Sequence, residues 1–572
     1  MIKAAFFLFL ISAFTLNTHA QQVFSKNTYP LVDFRPPLDI MPPALAGSFG
    51  ELRSNHFHSG MDFRTNQREG YPVYAIADGY VSRVRVQNSG FGQAVYLTHP
   101  NGYTSVYGHL SRFAPKLAEA VKALEYQKKT FELDEFPAPE QFPVHKGDVI
   151  AYSGNRGSSG GPHLHFEIRD AKTENTINPQ LFGIQIPDDI PPVIYSLYLY
   201  KLNKKPFSEY TPKQYYQVSG AAGKFRLNAG NTINVNGEFG FGITTTDRHN
   251  GHSGIIGAYS IELQMDGKTI YTSALEKFAF ENSKAINSHI DYPAFLTSRR
   301  SIQKSFVDPG NPIKIYFNVV NNGRIELNDL QSHEFKYTVT DSKGNQSTLA
   351  FTVRSDGKSI STPDQPDGVP FFNDRENEFS TETVKVVLPK GTLYNDFNLV
   401  YKTRPKPASG AYSEIHQIHN NLTPLHVGFD LWIKADASLG DLKEKAVIVS
   451  TGGASQGGTF DNGYIKASPR NFGSFYIAVD TLPPTVVPVN ISEGKNMAGI
   501  PKMTFKIRDN LSGIKSFNGY IDGNWALMEF DTKTATLWHS FDSRTAAGKH
   551  QLKLVVEDMK GNIKTYSVNF YK

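Results

Sequence analysis

The sequence predicts a mainly β protein: an antiparallel β-sheet domain near the N-terminus, interrupted by a short helical insert, followed by several β-sandwich modules. Three observations predict it. The chain of 572 residues is rich in Tyr (28), Phe (40), Gly (47) and Pro (33), a mixture of strand formers and turn formers. Short apolar runs alternate with turn residues from about Gly47 to Phe182. After Pro187, longer strand-like runs repeat a set of turn motifs. At roughly 100–200 residues per domain, the length calls for several cores.

The N-terminus reads as a secretory signal over 1–20. Lys3 supplies the positive region, Ala4 to Leu16 the apolar run and Thr18-His19-Ala20 the cleavage site. The apolar run is shorter than the ~20 residues of a membrane span, and no later stretch is long enough to be one. Residues 21–45, with Pro30, Pro36, Pro37, Pro42 and Pro43, form an extended lead-in. In the first domain (46–186), Val73–Ile76, Val81–Val86, Ala94–Leu97 and Ser105–Tyr107 read as strands, with Asn101-Gly102 as a hairpin turn. Leu117, Val121 and Leu124 recur at helical spacing inside an insert over 113–143, which is expected to flank the active cleft.

The later repeat has two copies. Ile190-Pro191-Pro192 opens one and Leu482-Pro483-Pro484 the other. Each then shows Ser-Gly-Ile (253–255 and 512–514), an Asp-Gly turn (266–267 and 522–523) and V-x-D-x-K-G-N (339–345 and 556–562). The first copy, 187–353, is about twice as long and carries an insertion. The second spans 481–572. This pattern resembles immunoglobulin-like sandwich modules of bacterial surface proteins. Between them lie a linker (354–370) and a further β-rich module (371–480).

Composition also limits the chemistry. With no cysteine, a disulfide framework, a thiol nucleophile, a cysteine-held metal and lipidation at an N-terminal cysteine are all excluded. A net charge of +5 gives no reason to expect nucleic-acid binding. Any metal must be held by His, Asp or Glu.

Three segments supply such residues. His58-Ser59-Gly60-Met61-Asp62 places a histidine and a carboxylate around a glycine that lets the backbone bend. Tyr107-Gly108-His109-Leu110 offers one histidine. In Gly161-Pro162-His163-Leu164-His165-Phe166-Glu167, strand alternation puts His163 and His165 on one face and Leu164 and Phe166 on the other. A lone histidine on a strand is ordinarily a satisfied structural residue. Two histidines and a carboxylate match an open, three-ligand zinc site with water in the fourth position.

Together these segments resemble the lysostaphin-type (LytM-like) zinc endopeptidases of peptidoglycan. Further matching text is Leu52-Arg53, Pro72-Val73 with Ala75, Gly79 with Val81, Lys146-Gly147-Asp148-Val149-Ile150 and Ser153-Gly154-Asn155. The likeness covers about 46–182, with the insert as its main departure. It implies one zinc ion on His58, Asp62 and His165, with His109 and His163 as catalytic residues. By the same resemblance His163 is the general base and His109 orients water or stabilises an oxyanion. Which of the two takes the proton is left open, as is the cleaved bond. The implied protein is exported, periplasmic or otherwise associated with the cell envelope, and takes a peptidoglycan peptide as substrate. The C-terminal modules are open to a wall or protein partner. Competing readings are a non-catalytic or autoinhibited regulator of other wall hydrolases, and a wall-binding adhesin. Among other candidates, His56 could share the face of His58 as a further ligand, though the family pattern does not use it. Arg53 suits a substrate carboxylate, support of a ligand or a surface ion pair, and Glu167 suits a general base or, in preference, a salt bridge or support of a ligand. His416, His419 and His426 read as surface histidines.

Overall fold

The computed structural model describes residues 23–25, 27–251, 254–358, 363–407 and 410–572. The expected signal segment, Ser253 of the first Ser-Gly-Ile and residues 359–362 of the linker lie outside them.

The first unit is built from β1 (Leu45–Gly47), β2 (Met61–Arg64), β3 (Pro72–Tyr74), β4 (Gly79–Val86), β5 (Gln93–Thr98), β6 (Tyr103–Gly108), β7 (Arg112–Phe113), α1 (Pro115–Lys128), β8 (Leu133–Glu135), β9 (Pro143–Val144), β10 (Val149–Tyr152), β11 (His163–Asp170) and β12 (Thr176–Ile177). The main sheet runs β1-β2-β11-β6-β5-β4-β8, antiparallel throughout. A second sheet runs β3-β10-β7. The β5–β6 hairpin turns at Asn101-Gly102, where Gly102 takes φ +84°, a left-handed conformation that suits glycine. Register places His165 opposite Asp62 on one side and Gly108 on the other, so the three histidine segments meet at the centre of the sheet. Leu164 and Phe166, fully buried, point into the core beneath.

The helix forms where the spacing predicts it. Pro115 sits in its first turn, Lys128 in its last, and Lys129 ends it in the left-handed conformation. Leu117 and Val121 are buried against the core, but so is Glu125. The insert does not flank the cleft: no residue of 113–143 lines it. Its helix faces the C-terminal module instead, because its outer face carries a matching set of groups. Tyr126 packs edge-on to Trp525 at 5.3 Å, and Lys122 pairs with Asp542 at 2.5 Å.

Burial, reinforced by the nearby Glu529 carboxylate, pushes Glu125 up to about 8. The folded chain therefore keeps a proton there that the unfolded chain sheds near the ordinary glutamate value. The stability this proton supports is complete below about pH 4.5 and is lost as pH rises towards 8. Glu125→Gln should remove that loss, raising stability at pH 8 relative to wild type by about 1–3 kcal/mol and leaving it unchanged at pH 4.5. Thermal melts at the two pH values check this.

Three further cores follow, within 194–353, 371–477 and 491–570. The last module has one sheet built on Lys502–Arg508 and Thr536–Ser540 and another built on Ile514–Ile521, Lys549–Asp558 and Ile563–Tyr571. The segment 277–327 of the first copy contains the helices Ile286–His289 and Tyr292–Ser298, whereas the last module shows no helix among its described residues. This segment contacts the first unit: Lys277–Phe278 pairs with β12. Phe278, Ile286 and Ile290 share a core with Phe49 and Phe57, which flank the loop leading to His58. His416 and His419 are buried and His426 half-buried, so the surface reading of these three is corrected. They hydrogen-bond to Tyr401, Thr423 and Tyr394 inside the 371–480 unit, where apolar packing closes over them.

Candidate metal centre and cleft

The structure brings all five sequence-predicted residues into one cleft of about 580 Å³. His58, Asp62 and His165 are buried and form a group whose donor atoms can hold a metal ion. His58 Nε2 lies 3.0 Å from Asp62 Oδ1 and 3.1 Å from His165 Nδ1, and His165 Nδ1 lies 2.9 Å from Asp62 Oδ1. Donors at ~2.0–2.1 Å around a tetrahedral zinc stand about 3.3 Å apart, so this triangle is close to the size required.

Hydrogen bonds settle which nitrogens face the centre. His58 Nδ1 donates to the Ser48 carbonyl at 2.8 Å, which leaves Nε2 for the cluster. His165 Nε2 donates to Glu167 Oε1 at 2.9 Å, which leaves Nδ1. Glu167 is held in turn by Arg169, whose Nε donates at 2.6 Å. This is the carboxylate–histidine support expected behind a metal ligand. Burial opposes charge on His165, yet the hydrogen bonds and charges of Asp62 and Glu167 outweigh it and raise the ring to about 9. Burial also opposes charge on Asp62, but the imidazoles around it, His58 foremost, hold it well below the usual carboxylate range. The pocket thus favours a positive charge beside Asp62, which a metal ion supplies as well as a proton does. The donor set fits zinc: two imidazoles and one carboxylate, with no thiolate.

His109 and His163 stand beside this group, with ring centroids 4.8 Å apart. His163 Nε2 is 3.4 Å from Asp62 Oδ1. Each has its Nδ1 proton committed: His163 donates to Gly161 O at 2.8 Å, and His109 to Arg156 O at 2.7 Å. Both Nε2 atoms therefore carry lone pairs. Burial, with the charges of His165 and His163, pushes His109 down to about 3, so it stays neutral. Its backbone φ of +58° is left-handed, uncommon for a non-glycine residue.

Other expectations resolve as follows. Arg53 pairs with Asp62 Oδ2 at 2.9 Å. His56 lines the cleft but is exposed and bonds to Asn55. Gly60 is needed for close approach, because a Cβ there would stand 2.3 Å from Phe166 O on the neighbouring strand. Sequence reasoning did not find Phe91, which stacks on His165 at 4.8 Å, nor Phe280 and Ser283, which wall the cleft from the 277–327 segment. No motif marks them. It also missed the C-terminal module's grip on the loop over 154–161. There Glu529 pairs with Arg156 at 2.9 Å, and Lys533 donates to the carbonyls of Asn155 and Ser159.

Comparison with known proteins agrees with this geometry. The model of peptidase family M23 matches residues 56–126 and 125–179, and that of the Zu5-like domain matches 370–480, the unit left unnamed above. An uncharacterized metalloprotease of Haemophilus influenzae is 37% identical over 127 residues, 22% of each chain. The DD-carboxypeptidase/endopeptidase Mpg of Neisseria meningitidis is 31% identical over 137 residues, 24% of this chain and 25% of its own. Lysostaphin of Staphylococcus simulans is 32% identical over 111 residues, 19% of this chain and 17% of its own. The chain thus covers a quarter or less of the length of these relatives. From the ligand triangle to the matched motifs, residues 56–179 form a domain of peptidase family M23.

Proposed function

We propose that the chain is an exported zinc endopeptidase that hydrolyses peptide cross-links of peptidoglycan in the cell envelope. The observation that carries the reading is the convergence of His58 Nε2, Asp62 Oδ1 and His165 Nδ1, with two further imidazoles beside them. The relatives named as a metalloprotease and a DD-carboxypeptidase/endopeptidase support peptide-bond hydrolysis. Export rests on the signal-like segment at 1–20. Among the described residues, no helix is long and apolar enough to cross a membrane.

Zinc held by His58, Asp62 and His165 would supply a Lewis acid that polarises a carbonyl and acidifies water. The chain's own residues do the rest. Glu167 keeps the His165 proton on Nε2, and Ser48 O keeps that of His58 on Nδ1, so both rings present the correct nitrogen. His163, with its free lone pair nearest the ligand group, accepts the proton of the attacking water and returns it to the leaving amine. His109 is neutral with its proton spent on Arg156 O, so its Nε2 accepts a hydrogen bond and orients that water.

The test is digestion of purified peptidoglycan followed by mass spectrometry of the fragments. New peptide termini that disappear after chelation and return with zinc support the reading; intact cross-links with zinc-loaded protein overturn it.

The His109 hydrogen bond gives a second expectation. Arg156 O positions His109, and Glu529 of the C-terminal module holds Arg156. Glu529→Ala should lower kcat about 3–10-fold through misplacement of His109, with zinc content and melting temperature nearly unchanged, because the ion pair is partly exposed. Steady-state kinetics on a soluble cross-linked peptide check it.

A further inference from the structure

Two buried aspartate clusters stand outside the cleft. Asp188, Asp247 and Asp341 form one; Asp480, Asp509 and Asp558 form the other. In each cluster one carboxylate oxygen from every residue lies within 4.8 Å of the other two. The clusters occupy matching places in the two copies of the repeat. Asp188 and Asp480 precede the first strands, Val193–Lys201 and Thr485–Pro488. Asp247 and Asp509 directly follow Gly237–Thr246 and Lys502–Arg508. Asp341 and Asp558 begin the D-x-K-G-N turns.

These carboxylates are under-satisfied. Asp247 and Asp480 are 3% and 1% exposed, yet Oδ1 of each has no hydrogen-bond partner, and Oδ1 of Asp509 also lacks one. Other oxygens of the clusters are held in place by main-chain N–H groups. Asp341 Oδ1 accepts from Lys343 and Asn345 at 2.7 and 2.9 Å, and Asp558 Oδ1 from Lys560 and Asn562 at 2.8 and 2.9 Å. Asp480 Oδ2 accepts from Ser512 N at 2.9 Å, and Asp509 Oδ2 from Gly513 N at 2.8 Å. Among the described residues, no lysine or arginine forms an ion pair with any of the six. The one basic contact is His249 Nδ1, 3.3 Å from Asp188 Oδ2. Nearby lysines are engaged elsewhere: Lys343 donates to Gln185, and Lys560 to Gly458 O. Three carboxylates buried this close together, with the neighbouring lysines bonded to other groups, are costly to ionise at once, and a cation removes the cost.

We infer that each repeat module binds one calcium ion, through Asp188, Asp247 and Asp341 in the first and Asp480, Asp509 and Asp558 in the second. The donors are hard oxygens, which suit calcium or magnesium over zinc. Calcium accepts six to eight oxygens in flexible geometry, whereas magnesium demands a near-ideal octahedron and usually keeps several waters, so a buried set of three carboxylates suits calcium. Asp188 and Asp480 lie where the chain enters each module from the preceding unit. The ions would therefore also tie each module to its neighbour.

The experiment uses the full chain with zinc present, freed of calcium and titrated with calcium chloride by calorimetry and equilibrium dialysis. The expected result is two calcium ions per chain and a rise in melting temperature that magnesium at the same concentration does not match. Asp247→Asn and Asp509→Asn, which are near-isosteric and remove the unpartnered oxygens, should each leave one ion. The double variant should bind none and lose the calcium-dependent rise, while melting without calcium no lower than wild type. Absence of binding by wild type at about 5 mM calcium, or two ions still bound by the double variant, overturns the inference.

Discussion

His165→Ala is expected to strip the metal and to lower cleavage of cross-linked peptidoglycan by about three decades or more. His165 is one of only three donors at the centre, and its Nδ1 sits within 3.1 Å of both others. Without it, a metal retains one imidazole and one carboxylate from the chain, too few for tight binding at an open site. The loss of Lewis-acid assistance amounts to several kcal/mol, and each 1.36 kcal/mol is a factor of ten. The substitution also leaves Glu167 Oε1 without the ring that it holds, although Ser59 and Arg169 remain on that carboxylate. Folding should therefore survive with a loss of about 1–3 kcal/mol. Metal content by mass spectrometry, circular dichroism and sacculus digestion together check this. Retained turnover in metal-free His165→Ala would overturn the assignment.

His163→Ala and His109→Ala should behave differently from that variant and from each other. Both should keep zinc, because neither ring belongs to the ligand triangle, and both should lower kcat by about 10²–10⁴-fold, the range for loss of a positioned acid–base group. They separate in their pH profiles. Burial and neighbouring imidazoles hold His109 down at about 3, so it stays neutral across the working range. Its removal should lower the plateau of kcat/KM and leave the acidic limb in place. Removal of His163, the proposed proton acceptor, should change the limb itself. Their combination should fall well short of the product of the two losses, since they serve one proton transfer. Rate–pH profiles of the two single variants and the double variant decide it; an acidic limb moved by His109→Ala would reverse the roles.

Much of the centre was legible because strand geometry is periodic. H-x-H on a strand places His163 and His165 on one face whatever the rest of the fold does, and the alternation at Leu164 and Phe166 marks the face turned to the core. The helical spacing of Leu117, Val121 and Leu124 was read for the same reason. Periodicity says which face a residue occupies, not what that face meets. The insert was expected at the cleft, but its helix meets Trp525 and Asp542, more than 380 positions away. Glu125, one residue past the apolar stripe, is buried between the first unit and that module. His416, His419 and His426 were read as surface residues because their segment carries no other matching signal; packing within 371–480 buries the first two and half-buries the third.

By itself, the sequence determined the residue types and local spacings of the centre: two imidazoles and a carboxylate without cysteine, a glycine between His58 and Asp62, and two histidines on one strand face. These follow from bonded geometry over a few residues. Only the tertiary structure decided which nitrogen of each ring faces the centre, because Ser48 O, Glu167, Gly161 O and Arg156 O select it by hydrogen bonds. It also decided that the cleft is walled by Phe280 and Ser283 and that its loop is held by Glu529 and Lys533, from units far along the chain. Such contacts leave no local pattern, since they depend on complementary surfaces brought together by separate cores.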